Sequence, residues 1–162
     1  DEKLKRHDLI VKRSRSSLTR TGIGFRNMIG NEILEDTKSI IKEFYSEYLD
    51  EYVNTLNGHY HINCNMFIGK KIIVDQYCEW LFDILDRVDH VHYNRTGERY
   101  HNRELGYLGE LLFKVWIVFN NVNYVFQDVV NIETNSEIFY LSEFAKKFLK
   151  SKCKSKSTVS KN

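Results

Sequence analysis

The run at residues 105–119 constrains this chain most. It reads Leu-Gly-Tyr-Leu-Gly-Glu-Leu-Leu-Phe-Lys-Val-Trp-Ile-Val-Phe and, wound as a helix, is apolar nearly all the way round. Such a helix must be packed on several sides, so the rest of the chain has to supply them. One stripe interrupts the apolar surface. Arg103, Gly106, Tyr107, Glu110 and Lys114 fall at i, i+3, i+4, i+7 and i+11 and share a face. A cation and a carboxylate about two turns apart, with a glycine opening the backbone between them, is how a buried helix offers polar groups to a site. An Arg–Glu pair on a solvated strip has the same spacing.

The partners of that helix follow from apolar periodicity. Val74, Tyr77, Cys78, Leu81, Ile84, Leu85 and Val88 recur at three- and four-residue steps and describe the buried face of a second helix. A third is expected over residues 36–56, with Ile40, Ile41, Phe44, Tyr45, Tyr48, Leu49, Tyr52 and Val53 inward. Asp36 or Thr37 would cap its start, and Asn57-Gly58 would stop it. Short strand signals occur at residues 9–11, 63–68 and 122–130. Residues 21–31, with Gly22, Gly24 and Gly30, read as loop, as do the polar residues 86–102. A short helix is expected at 142–149, followed by a basic Lys/Ser tail without structure. The fold class is therefore α/β, a small mixed sheet with three long helices.

Composition bounds the function. At 162 residues the chain suits one domain, and a net charge of +2 gives no argument for nucleic acid. The basic residues gather near both ends, where peripheral contact with an acidic membrane surface is one reading. No apolar run reaches the roughly 18 residues of a transmembrane helix. Cys64, Cys78 and Cys153 have no metal spacing, and Cys78 reads as a buried small hydrophobe; a reducing, cytoplasmic setting is expected. His59 and His61 would face the same way in a strand, and His90 and His92 repeat the spacing. Without a carboxylate at fixed spacing they make a weak metal signal. Trp80 and Trp116 lie among apolar neighbours at helical spacing and read as core.

Three segments together carry a resemblance: Asn65-Met66-Phe67-Ile68, then Tyr77-Cys78-Glu79-Trp80-Leu81-Phe82, then Arg103-x-x-Gly106-x-x-x-Glu110-x-Leu112-x-x-Val115-Trp116. The chain resembles a bacterial domain family of unknown function found in capsular and exopolysaccharide glycosyltransferases and regarded as similar to the GT-A nucleotide-sugar transferase fold. The likeness runs from about residue 8 to about residue 133 and covers only the C-terminal half of the family's domain. Gly109 stands where the family has Ser or Ala, and Lys114 where it has Asn.

The resemblance implies the acceptor half of a GT-A-like domain over residues 1–140, with 141–150 as a terminal helix and 151–162 as tail. It implies transfer of a sugar from a nucleotide-sugar donor to a growing capsular, exopolysaccharide or lipopolysaccharide glycan. Glu110 is then the expected catalytic base, and Arg103, Gly106, Tyr107, Asn65 and Met66 the expected substrate-binding residues. The missing N-terminal half would be the obligatory partner. A divalent metal in the full-length enzyme is left open, and this chain alone is expected to be inactive. The competing reading is a non-catalytic helical module whose aromatic-rich helices bind a protein partner or an acidic surface.

Overall fold

The computed structural model of the chain describes residues 2–14, 17–62 and 65–129. The described residues up to Asp128 form one compact unit. The helix expected at 142–149 and the basic tail lie outside the described residues.

The sheet is small and mixed, as its three apolar runs predict. The central strand β1 (Leu9–Lys12) pairs antiparallel with β2 (Phe67–Gly69) and parallel with β3 (Tyr124–Gln127), giving the order β2-β1-β3. Leu9, Ile10 and Val11 are all buried, which explains why β1 reads as an unbroken apolar run rather than an alternating one. Gly69 lies opposite Leu9 in the register. A Cβ there would stand 2.3 Å from Leu9 Cδ2 and 2.9 Å from Val74 Cγ2, inside a packed layer. Gly69→Ala is expected to cost about 1–2 kcal/mol, read as a lower denaturation midpoint with an unchanged m-value.

Helices dominate the rest. A one-and-a-half-turn helix α1 (Glu2–Arg6) precedes β1, and α2 (Thr21–Ile29) follows it. Then come α3 (Asn31–Phe44), a 3₁₀ turn at Ser46–Tyr48, and α4 (Leu49–Asn57). Helix α5 (Lys71–Thr96) and α6 (Asn102–Phe119) flank a short connection. α6 packs against α2, α4 and α5, and Phe67 of β2 stacks on its Phe113 at 4.8 Å. Leu108, Leu111, Leu112, Phe113 and Val115 are fully buried, so the helix that is apolar all round is the core element that its composition demands. Trp80 and Trp116 are core, as expected. Among the described residues no helix is long and apolar enough to cross a membrane.

Four expectations are corrected. Residues 21–29 are helical rather than loop: Thr21, Phe25 and Ile29, one turn apart, bury a single face. Most of 86–102 is also helix, because α5 runs on to Thr96 and stops at Gly97, whose φ of 79° is the left-handed conformation that glycine adopts at no steric cost. The expected 36–56 helix is two helices broken at Tyr45 (φ −142°, ψ 45°), whose hydroxyl donates to Asp83 at 2.7 Å. Asp36 and Thr37 cap nothing, since α3 starts at Asn31; the stop at Asn57-Gly58 is observed.

Candidate functional site

The start of α6 is set locally. His101 Nδ1 accepts from the Arg103 backbone N–H, and Glu104 Oε2 accepts from the His101 N–H at 2.9 Å, a reciprocal capping box. The turn between α5 and α6 is held by a polar network around two buried carboxylates. Asp89, near the end of α5, accepts from the Tyr100 N–H at 2.9 Å and from Arg99 at 2.5 Å. Tyr100 Oη donates to Asp36 of α3 at 2.9 Å, and the Arg95 guanidinium grips both oxygens of Asp36 at 2.9 and 2.8 Å. The α5–α6 turn is thus bolted to α3 through groups whose burial would otherwise be costly.

Both carboxylates titrate below the usual range. The Arg95 hydrogen bonds hold Asp36 down against the opposing effect of burial. Burial works to raise Asp89, but hydrogen bonds from Arg99 and from the Tyr100 N–H outweigh it. With folded-state values below the unfolded ones, the unfolded chain binds more protons in acid. The stabilisation is therefore complete above the unfolded carboxylate value of about 4 and is lost as pH falls through the lower folded values. Thermal melts from pH 7 to pH 2 should show a nearly constant midpoint down to about pH 5 and a steep fall below about pH 4.

Between α5 and the N-terminal half of α6 lies a cleft of about 290 Å³. Tyr77, Leu81 and Phe82 of α5, Leu105 of α6 and Phe67 of β2 give it apolar walls, and Asn65 brings an amide to it. Its α6 wall is bare backbone at Gly106 and Gly109. A Cβ on Gly106 would meet nothing within 4 Å, whereas one on Gly109 would come within 3.4 Å of Asn65 Nδ2. Tyr77 Oη crosses the cleft floor to donate to the Gly109 carbonyl at 3.3 Å, and burial pushes its phenol up.

The expected site residues divide. Asn65 and Gly106 line the cleft. Met66 is exposed beside it, and its carbonyl accepts from the Lys12 N–H at 3.2 Å. Arg103 does not reach Glu110. Its Nε and Nη2 donate to Tyr107 Oη at 3.1 and 2.8 Å, because a residue one turn on is within reach and one two turns on, about 10.5 Å along the axis, is not. Glu110 is partly buried with no hydrogen bond or ion pair among the described residues. Lys114 is turned the other way: only 16% exposed, it approaches Glu51 of α4 at 3.9 Å, and desolvation pulls its pKa down while Glu51 pushes back. Cys78 is not fully buried as expected; it lines the cleft as a free thiol.

The histidine pairs do not form the expected arrangement. His90 and His92 sit on α5, where two residues' separation puts them on nearly opposite sides, and His59 and His61 lie outside any strand. Among the described residues, the grouping that brings possible ligands together is Glu32, Asp36 and His92, within 4.8 Å of one another. Arg95 bonds both of its carboxylates, so a guanidinium already supplies the positive charge a metal would bring. Sequence reasoning missed this network. The available signal was Asp36 itself, placed between Ile33 and Ile40 on a buried helix face where a carboxylate needs a partner.

The profile of the family described as Domain of unknown function (DUF4422) matches residues 1–121. The chain belongs to this family. Comparison with curated proteins gives no match. Among solved structures the chain is similar to the apo form of WbbM, a bifunctional glycosyltransferase, with a TM-score of 0.63 and 19% identity. The superposition covers 82% of this chain and 27% of that one. At this identity the likeness concerns the fold, which this family member therefore shares with a segment of a glycosyltransferase.

Proposed function

We propose that this chain is part of a glycosyltransferase that moves a sugar from a nucleotide-sugar donor to a growing capsular, exopolysaccharide or lipopolysaccharide glycan, and that the α5–α6 cleft receives the acceptor. The observation that carries this reading is Glu110. A partly buried carboxylate whose side chain has no partner among the described residues is free to act on a ligand, and it sits one turn beyond Gly106, the stripe's one residue in the cleft lining. In the reaction the acceptor hydroxyl oxygen attacks the anomeric carbon, the bond from that carbon to the diphosphate oxygen breaks, and Glu110 takes the hydroxyl proton. The apolar walls around Phe82 and Leu105 suit the carbon-bound face of a sugar ring, and the Asn65 amide supplies a hydrogen-bonding group beside them. Arg103, held by Tyr107, is a positioning group here rather than Glu110's partner.

The fold likeness to a glycosyltransferase and the family membership support the same reading. The donor half would belong to the remainder of the domain, at the cytoplasmic face of the membrane where a basic surface meets acidic lipid. Exposed Ile68 and Ile72 offer that half apolar surface to dock on. The chain alone would then be inactive.

Gly106→Ala tests the cleft. A methyl group meets nothing in the free protein, so the change should raise stability by about 0.5–1 kcal/mol through helix propensity. In the full-length enzyme it should raise the acceptor KM several-fold. A stabilised variant with an unchanged acceptor KM would place the acceptor elsewhere.

A further inference from the structure

A second cavity, of about 390 Å³, opens between α2, α3 and α4 and is lined by Arg20, Arg26, Lys38, Asn31, Asn57 and Glu35 above an apolar floor. Two local features build it. Gly30, with φ of 85°, turns the chain sharply from α2 into α3, a conformation only glycine takes freely. Gly22 lets α2 lie against α4 so closely that a Cβ would stand 3.0 Å from the Leu56 carbonyl. Arg20 and Arg26 of the α2 region and Lys38 of α3 all line this cavity. None of the three cations has an ion pair or hydrogen bond among the described residues, although elsewhere Arg13, Arg87, Arg95 and Arg99 are all paired with carboxylates. Asn31 is the first residue of α3, whose N-terminus no side chain caps. Its free backbone N–H groups and positive dipole end therefore stand at the same cavity.

We propose that this cavity is a phosphate-binding site, taking a phosphate dianion between Arg20, Arg26, Lys38 and the N-terminus of α3. Two planar forks and an ammonium around an uncapped helix start match the oxygens of that group. Glu35 opposes it, which leaves an excess of positive charge suited to a dianion rather than to a larger polyanion. The phosphate arrives either on a small soluble ester or on a lipid headgroup. The site is separate from the α5–α6 cleft and stands whether or not the cleft binds an acceptor.

The test is titration of the isotope-labelled chain with inorganic phosphate at constant ionic strength, read from backbone amide shifts. Saturable shifts are expected at Gly22, Asn31 and Glu32. Arg26→Gln with Lys38→Gln should weaken binding at least about tenfold, and Glu35→Gln should tighten it several-fold. All these side chains are exposed, so preserved spectra elsewhere will show that the variants fold. In a second arm, vesicles containing phosphatidic acid are compared with pure phosphatidylcholine. Binding to the former that the double variant abolishes, without saturable shifts from free phosphate, assigns the lipid headgroup as the source. Absence of binding in both arms, shifts that survive the double variant, or a Glu35→Gln variant no tighter than wild type would overturn the proposal.

Discussion

In the full-length enzyme, Glu110→Gln should lower sugar transfer by about 10²–10⁴-fold, the range general-base catalysis supplies, while leaving the thermal midpoint almost unmoved. The expectation of an intact fold rests on the structure: Glu110 makes no hydrogen bond or ion pair among the described residues, so the amide breaks nothing. Losing the carboxylate removes the proton acceptor and leaves ground-state contacts with the acceptor in place, so the loss should fall in kcat rather than KM. A structural role predicts the reverse, a lower melting temperature with activity per folded molecule nearly intact. Measuring kcat, KM and the midpoint on one preparation separates the two.

The largest effect on stability is expected at Asp36. Asp36→Ala leaves the buried Tyr100 hydroxyl without its acceptor and opens a gap between α3 and the α5–α6 turn. A cost of about 2–3 kcal/mol is expected, which in a domain of this size lowers the midpoint by on the order of 10 °C. The same variant should flatten part of the acid limb of the stability profile, because the carboxylate responsible for it is gone. A variant as stable as the parent, or one with the same acid limb, would remove this network from the account of what fixes α5 against α6.

How much was legible in the sequence depended on which force decided each element. Helix α6, the centre of α5 and strand β1 are fixed by apolar burial, and periodicity reports burial directly. Helix α2 was hidden by composition. Gly22 and Gly24 signal loop, yet Gly22 is there because α4 comes too close for a side chain, a tertiary fact with no local trace. The end of α5 looks like loop because its polar residues are satisfied at a distance, Arg95 by Asp36 and Asp89 by the Tyr100 N–H. The break at Tyr45 carries no proline or glycine and goes with a hydroxyl that reaches Asp83 on another helix.

The candidate site shows the same division. That Arg103, Gly106, Tyr107 and Glu110 share a face follows from helix geometry alone. Which of them touch does not: Arg103 turns to Tyr107, Lys114 faces Glu51 on α4, and Gly109 rather than Glu110 forms the cleft wall beside Gly106. Two glycines on one helix face, with Leu105 beside them, were the trace of an open groove, and only the neighbouring helix makes them one.

The claim that the α5–α6 cleft receives a glycan is tested most directly by titrating the labelled chain with an acceptor oligosaccharide and mapping its amide shifts. The account predicts saturable shifts confined to Asn65, Phe82, Leu105, Gly106, Gly109 and Glu110, with Asn31 and Gly22 silent. Saturable shifts located away from the α5–α6 cleft, or no shifts at concentrations that saturate the full-length enzyme, would contradict it.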